Sequence, residues 1–114
     1  MRMRIKMNKL YRLEGQEPVE EPNPDRWIAW WRRANTTIGD DCFEKRHRGF
    51  VREMIVHTRF TGVDERPGFG KPALFATTIV VAEVDDIVVD VVERYDTWTL
   101  AEQGHQHYVA RMRS

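Results

Sequence analysis

Two runs of β-branched and aromatic residues, 74–84 and 87–95, constrain the fold more than any other part of the chain. Side chains of these types favour extended backbone, and only Asp85 and Asp86 separate the runs, which is typical of a tight β-hairpin. Residues 79–82 are apolar without interruption. That pattern predicts a central strand covered on both faces.

A third strand is predicted for residues 50–60, where side chains of the two kinds alternate. One side carries the residues expected in the core (Phe50, Met54, Val56, Thr58 and Phe60), and the other side is wetter (Val51, Glu53, Ile55, His57 and Arg59). A period of two indicates a strand with one buried face. Residues 62–70 follow as a loop, because Pro67, Gly68 and Gly70 interrupt regular structure.

Helical spacing indicates a first helix that opens near Asp25, after Pro24, and ends at the polar stretch beginning with Asn35. Its predicted buried stripe contains Trp27, Ile28, Trp31 and Ala34. Trp30 lies off this stripe and is expected to be exposed beside Arg33, one helical turn away. The two side chains could form a binding surface or a cation–π contact within the helix.

A last helix is predicted to begin near Thr97 or Thr99, and Thr99 with Glu102 also fits a capping box. Its buried stripe should contain Trp98, Ala101, His105, Tyr108, Val109 and Met112. The order helix, strands, helix predicts an α+β fold. We expect an antiparallel β-sheet of about four to five strands packed against an N-terminal and a C-terminal helix.

The chain length of 114 residues fits one domain, with residues 1–8 as a frayed N-terminal extension. Residues 1–13 hold five basic and no acidic residues, and residues 14–25 hold five acidic and no basic ones. These blocks are either a frayed terminus followed by a solvated loop rich in Pro18, Pro22 and Pro24, or oppositely charged segments that pair.

Composition excludes several classes of protein. Eighteen basic residues balance eighteen acidic ones, so nucleic-acid binding is disfavoured, since it normally needs a basic excess. The single cysteine, Cys42, rules out an intramolecular disulfide. The sequence shows neither a membrane-spanning apolar run nor a signal peptide. A soluble cytoplasmic protein that does not bind a membrane is therefore expected.

The loop at 62–70 does not fit a nucleotide site. Gly68, Gly70 and Ala73 match the spacing of a dinucleotide fingerprint, but Pro72 and a strand follow where a helix should open. A phosphate-binding P-loop also fails, because Pro72 follows Gly70 and Lys71 in place of Ser or Thr. We interpret the segment as a turn and expect no cofactor.

The strongest candidate binding surface is a basic loop at 45–52. Arginine side chains fit phosphate or carboxylate groups, and an aromatic ring can stack on a ligand. The predicted binding residues are Arg46, Arg48, Phe50 and Arg52, with Trp30 and Arg33 of the first helix beside them. The alternative is an ordinary solvated loop.

Acid–base chemistry has four candidate residues, His57, Asp64, Glu93 and His105. His57 and His105 could meet across the fold, but their spacing in the sequence does not fix this. His105 and His107 point to different sides of a helix, and no paired cysteines accompany them, so no metal site is predicted. Cys42 is interpreted as a buried, inert thiol.

Four segments together resemble a family of small bacteriophage and prophage proteins of unknown function: FTGVD at 60–64, GFGKPALFAT at 68–77, ERYDTW at 93–98 and AEQGH at 101–105. The start at Met7 also looks like that family, which would make residues 1–6 an upstream extension. Residues 39–57 look like an insertion, and Glu65 stands where family members often have histidine. The resemblance implies no activity, only an accessory protein that acts on host factors.

The leading hypothesis is therefore a non-enzymatic, phage-type binding module for a host protein or a small host ligand. A small enzyme with an acid–base site near 62–70 is one alternative, and nucleic-acid binding through residues 45–52 is another. A homo-oligomer also remains open, since strand edges and exposed aromatic side chains suit self-assembly.

Overall fold

The structure, a computed structural model, describes residues 9–64 and 71–114. Its elements in chain order are β1 (Tyr11–Glu14), β2 (Glu17–Glu20), α1 (Pro24–Trp31), β3 (Thr37–His47), β4 (Phe50–Phe60), β5 (Phe75–Glu83), β6 (Asp86–Tyr95) and α2 (Trp98–Arg113). Strands β3 to β6 form an antiparallel sheet in which each strand pairs with the next along the chain, and β1 pairs with β2 in a separate sheet. The predicted α+β class is confirmed.

Helix α2 covers one face of the four-stranded sheet, and the predicted stripe faces inward. Ala101, His105 and Val109 are buried in it, against buried residues of the predicted core side of β4, such as Val56. The helix is capped by Thr97, whose side chain accepts a hydrogen bond of 3.1 Å from the backbone N–H of Leu100. Of the two predicted helix starts, Thr97 and Thr99, the helix therefore begins after Thr97.

The other face of the sheet is more open than predicted. β5 lies between β4 and β6, but Val80 and Ala82 are only partly buried, and Ile87 and Val89 of β6 are 67% and 63% exposed. The predicted coverage of β5 on both faces was wrong. Pairing with two neighbouring strands shields the edges of β5, so an unbroken apolar run does not require a second covering layer.

Strand β3 was not predicted, because its sequence was interpreted as a polar stretch followed by a basic loop. The strand pairs with β4 from Thr37↔Arg59 to His47↔Phe50, and this ladder pairs one edge of its backbone whatever the side chains. β3 is also an edge strand, a position where charged residues are common. The predicted insertion at 39–57 therefore forms β3 and most of β4.

Helix α1 lies near one end of the sheet, so the predicted packing of an N-terminal helix on the sheet is only partly matched. Its cap is Asn23, which accepts hydrogen bonds from the backbone N–H groups of Asp25 and Arg26. The indole of Trp27 donates a 2.7 Å hydrogen bond to the carbonyl oxygen of Tyr11 in β1. Neither described helix has the length and apolar character needed to cross a membrane.

Residues 14–25 are not one solvated loop, because β2 lies within them. Oppositely charged groups of the two predicted blocks pair across this hairpin and the chain after it. Lys9 lies 3.9 Å from Glu20, and Arg12 lies 2.9 Å from Glu14 and 3.7 Å from Glu21. The pairing alternative therefore holds for the described part of the two blocks.

Candidate functional site

The predicted basic loop is the tip of the β3–β4 hairpin. The chain reverses at Arg48 and Gly49, which have φ angles of 50° and 83°. Positive φ at both turn residues matches the right-handed twist of the strands that leave the turn. Arg46, Phe50 and Arg52 thus lie on paired strands of fixed register, and Arg48 lies in the turn itself.

A groove of about 930 Å³ separates this tip from the β5–β6 turn. We call it the hairpin-tip groove. Its apolar residues are Phe50, Val51 and Val84, which are 70%, 38% and 80% exposed. Large apolar side chains from two separate hairpins therefore face water at the same place.

Charges of both signs line the hairpin-tip groove. Lys45, Arg46 and Arg52 are its basic residues, and Glu44, Glu83, Asp85 and Asp86 are its acidic ones. Arg52 forms an ion pair with Glu83, and the Lys45 ammonium donates a 2.6 Å hydrogen bond to the carbonyl oxygen of Ser114. The groove is thus not the basic surface that residues 45–52 suggested in isolation.

Trp30 and Arg33 do not join this surface. The ring of Trp30 packs edge-on against Phe60, with centroids 6.0 Å apart. Phe60 ends β4, whereas Phe50 begins it, so about 33 Å of strand separates the two places at ~3.3 Å per residue. The predicted exposure of Trp30 was also wrong, because Trp30 is half-buried and Ile28 is the exposed one, at 43%. Arg33 instead donates to the carbonyl oxygen of Ala29.

Beneath α2, polar side chains form a continuous hydrogen-bonded series that crosses all four strands. His105 contacts Asp41 at 2.6 Å through Nε2 and Thr58 at 2.7 Å through Nδ1. Thr58 lies 2.6 Å from Thr77, and Thr77 lies 3.1 Å from the hydroxyl of Tyr95. The series ends at Tyr95, on β6. We call this series the buried polar chain: Asp41, His105, Thr58, Thr77 and Tyr95.

Two glycines let α2 and β3 approach the rings of the buried polar chain. A Cβ atom at Gly39 would overlap the imidazole of His105, and one at Gly104 would overlap the hydroxyl end of Tyr95. Glycine within a regular element often marks such a close approach. These two glycines, with Thr58 on the core side of β4, are the sequence signals that could have indicated the chain.

Burial raises the pKa of Tyr95 to about 12, from an ordinary value of 10.0. Desolvation is the main cause, the hydrogen bond with Thr77 lowers the pKa, and the carboxylate of Glu93 raises it. A phenol held neutral in this way remains a hydrogen-bond donor over the whole physiological pH range.

The four predicted acid–base residues are only partly brought together. His105 belongs to the buried polar chain and the exposed Glu93 lines a cleft beside Tyr95, but His57 lies on the opposite face of the sheet, where it is 3.5 Å from Asp40. The possible meeting of His57 with His105 therefore does not occur, since adjacent strand residues point to opposite faces. Asp64 is buried, and its backbone N–H donates to the carbonyl oxygen of Lys9.

A cleft of about 730 Å³ opens at the Tyr95 end of the buried polar chain, with Glu93, Gly104 and the exposed His107 also lining it. The glycine-rich loop lies mostly outside the described residues, so the predicted site beneath it is not tested. Within residues 9–64 and 71–114, no group of three or more His, Cys, Asp or Glu side chains could hold a metal ion.

Cys42 departs from its predicted role as a buried thiol. The residue is exposed, because β3 is an edge strand and Cys42 pairs with Ile55, which alternates with the buried residues of β4. An exposed thiol has solvent access, which a buried cysteine lacks.

No protein-family model, curated protein or solved structure matches the chain. The resemblance to phage proteins stays a prediction.

Proposed function

We propose that the protein is a non-enzymatic binding module that holds a segment of a partner polypeptide in the hairpin-tip groove. The observation that carries the proposal is the exposure of Phe50 and Val84, from two different hairpins, in one groove rimmed by charges of both signs. Exposed apolar groups with a polar rim are typical of protein interaction sites.

The size of the apolar contribution supports a partner that covers Phe50. An aromatic side chain buries roughly 200 Å² on full coverage. Covering the 70% of Phe50 that is exposed would contribute about 3.5 kcal/mol, at ~25 cal/mol per Å². Truncation of Phe50 should therefore weaken binding of the partner by a readily measured amount.

The charges of the groove favour a polypeptide over nucleic acid. Four acidic residues offset three basic ones, so a phosphate backbone would gain no net attraction. A polypeptide carries both signs and can match them. Under the resemblance to phage proteins, the partner would be a host protein.

Site-specific photo-crosslinking tests this proposal. We would place p-benzoylphenylalanine at Phe50, and in a matched control at Ile28, which is also exposed but lies at the other end of the sheet. We expect position 50 to capture a discrete partner that position 28 does not, and Arg46→Glu with Arg48→Glu to abolish that product. Capture at position 28 alone, or a product unaffected by the two charge reversals, would exclude this surface.

The acid–base alternative has one supporting observation, the cleft that exposes Glu93 beside the hydroxyl of Tyr95. Paired groups with different proton affinities are what acid–base catalysis needs. A Glu93→Gln variant would lose turnover of any substrate bound there, whereas a binding module would keep its photo-crosslinked partner unchanged.

A further inference from the structure

Strand β6 is an edge strand that is uncovered on both faces over residues 86–91, a segment we call the β6 edge. Among the described residues β6 pairs only with β5, so its outer row of backbone N–H and C=O groups has no strand beside it. Every residue of the β6 edge is exposed. An exposed, unpaired edge of this kind is a template for pairing with another strand.

One face of the β6 edge is apolar. Ile87, Val89 and Val91 alternate along it and are 67%, 63% and 46% exposed. Val89 pairs with Val80 of β5, and both point away from α2, because the neighbouring Ile79 packs beneath the helix. A strand added to the β6 edge would cover this apolar row with its own side chains.

The other face of the same strand is acidic. Asp90 pairs with the buried Ile79, so both side chains point to the face that carries α2. Asp86 and Glu93 lie on this face by the same ladder. Neither Asp86 nor Asp90 forms an ion pair with any described residue. Their charges are therefore available to a strand that adds at the edge.

A second copy of β6 does not match this charge pattern. In antiparallel pairing, opposite residues point to the same face. A two-fold axis perpendicular to the sheet would therefore bring Asp86, Asp90 and Glu93 of both copies onto one face, where like charges oppose pairing. A strand that carries Lys or Arg on that face would be attracted instead, so the acidic row discriminates between the two partners.

We propose that the β6 edge binds an extended segment of a partner polypeptide in which Lys or Arg alternates with β-branched apolar residues. The segment adds a strand to the main sheet through backbone hydrogen bonds. Its apolar side chains cover Ile87, Val89 and Val91, and its basic ones face Asp86 and Asp90. This binding needs no contact with Phe50, so it is independent of the hairpin-tip groove.

A single added strand makes a small contact. The β6 edge spans about 20 Å at ~3.3 Å per residue, and one strand along it falls below the ~800 Å² per partner of a standard interface. We therefore expect weak, reversible binding that added salt weakens further, because the charges involved are exposed.

An NMR titration of the isotope-labelled full chain tests the proposal. The probe is a capped peptide of four lysines alternating with three valines, and the control peptide has the same composition with all lysines before all valines. We expect the alternating peptide, at millimolar concentration, to shift the amide signals of residues 86–91 saturably and to slow their exchange with water. The control peptide should do neither.

Two matched charge reversals locate the binding. Asp90→Lys should weaken it roughly tenfold, because an attractive cross-strand pair becomes a repulsive one. Glu44→Lys makes the same change on the opposite edge strand, in the hairpin-tip groove, and should leave binding unchanged. Unchanged α2 signals verify that each variant is folded.

Absence of saturable shifts at residues 86–91, or an equal response to both peptides, would overturn the proposal. A loss caused by Glu44→Lys but not by Asp90→Lys would assign the peptide to the hairpin-tip groove and equally reject the β6 edge. Sedimentation of the protein alone covers the remaining occupant: a dimer that Asp90→Lys alters would show that a second copy takes this edge, against the proposal.

Discussion

Gly104→Ala should destabilise this protein, although the same change in most helices does the opposite. Gly104 lies in the middle of α2 and is buried. Alanine in place of glycine inside a helix normally stabilises by about 0.5–1 kcal/mol. Here the new methyl group would overlap the hydroxyl oxygen, Cζ and Cε1 of Tyr95.

The expected size follows from what Tyr95 would have to give up. Forcing a methyl group into a packed core costs about 1–3 kcal/mol. Displacement of the ring also weakens its hydrogen bond with Thr77, which contributes about 0.5–1.5 kcal/mol. After the gain in helix propensity, we expect a net loss of about 2 kcal/mol, or a fall in melting temperature of roughly 8 °C for a domain of this size.

Urea unfolding of Gly104→Ala in two backgrounds separates this explanation from a general intolerance of the helix. Leucine at position 95 lacks the atoms that the methyl group would meet, so Gly104→Ala should stabilise a Tyr95→Leu protein. Gln103→Ala, at an exposed neighbouring position, should change stability by less than about 0.5 kcal/mol. A higher unfolding midpoint for Gly104→Ala alone, or an equal loss in both backgrounds, would refute the reasoning.

Three further outcomes are expected. Because the folded pKa of Tyr95 is raised to about 12, its stabilising contribution is complete below pH 10 and is lost as the pH rises towards 12. The free energy of unfolding, measured in urea from pH 9 to 11.5, should therefore fall by about 2 kcal/mol less in Tyr95→Phe over the whole range. Trp30→Ala should cost about 2–4 kcal/mol in urea unfolding because the ring packs on Phe60, whereas Ile28→Ala should cost less than ~0.5 kcal/mol. Cys42 should react stoichiometrically with Ellman's reagent in native buffer; a thiol that reacts only in denaturant would contradict its exposed position.

The elements that were predicted from sequence are those in which apolar side chains recur at the spacing of one buried face. The stripe of α2 and the alternation in β4 from Met54 onward each reflect one buried face, so sequence alone was sufficient there. Phe50, which was expected on the core side of β4, is 70% exposed because α2 does not cover the hairpin tip. β3 was missed because its side chains, among them Asp40, Glu44 and Arg46, follow no apolar period. Its stability comes from backbone pairing with β4, which a single-strand pattern does not record.

The candidate sites depended on contacts between distant residues, which spacing does not show. His105 was correctly placed on the buried side of α2, but its partners Thr58 and Asp41 lie 47 and 64 residues away. A shift of one residue on β4 separates Thr58, which bonds to His105, from His57, which does not. The hairpin-tip groove was anticipated through Arg46, Phe50 and Arg52, but the acidic turn that faces them was not.

The order of strands in the main sheet has a consequence for how the chain folds. Each strand pairs with its neighbour in sequence, so the sheet can assemble one hairpin at a time with little loop-closure entropy. The contact of His105 with Asp41 spans 64 residues and needs α2 docked on a finished sheet. We expect it to form after the rate-limiting step. In stopped-flow experiments, His105→Gln should accelerate unfolding and leave the folding rate nearly unchanged.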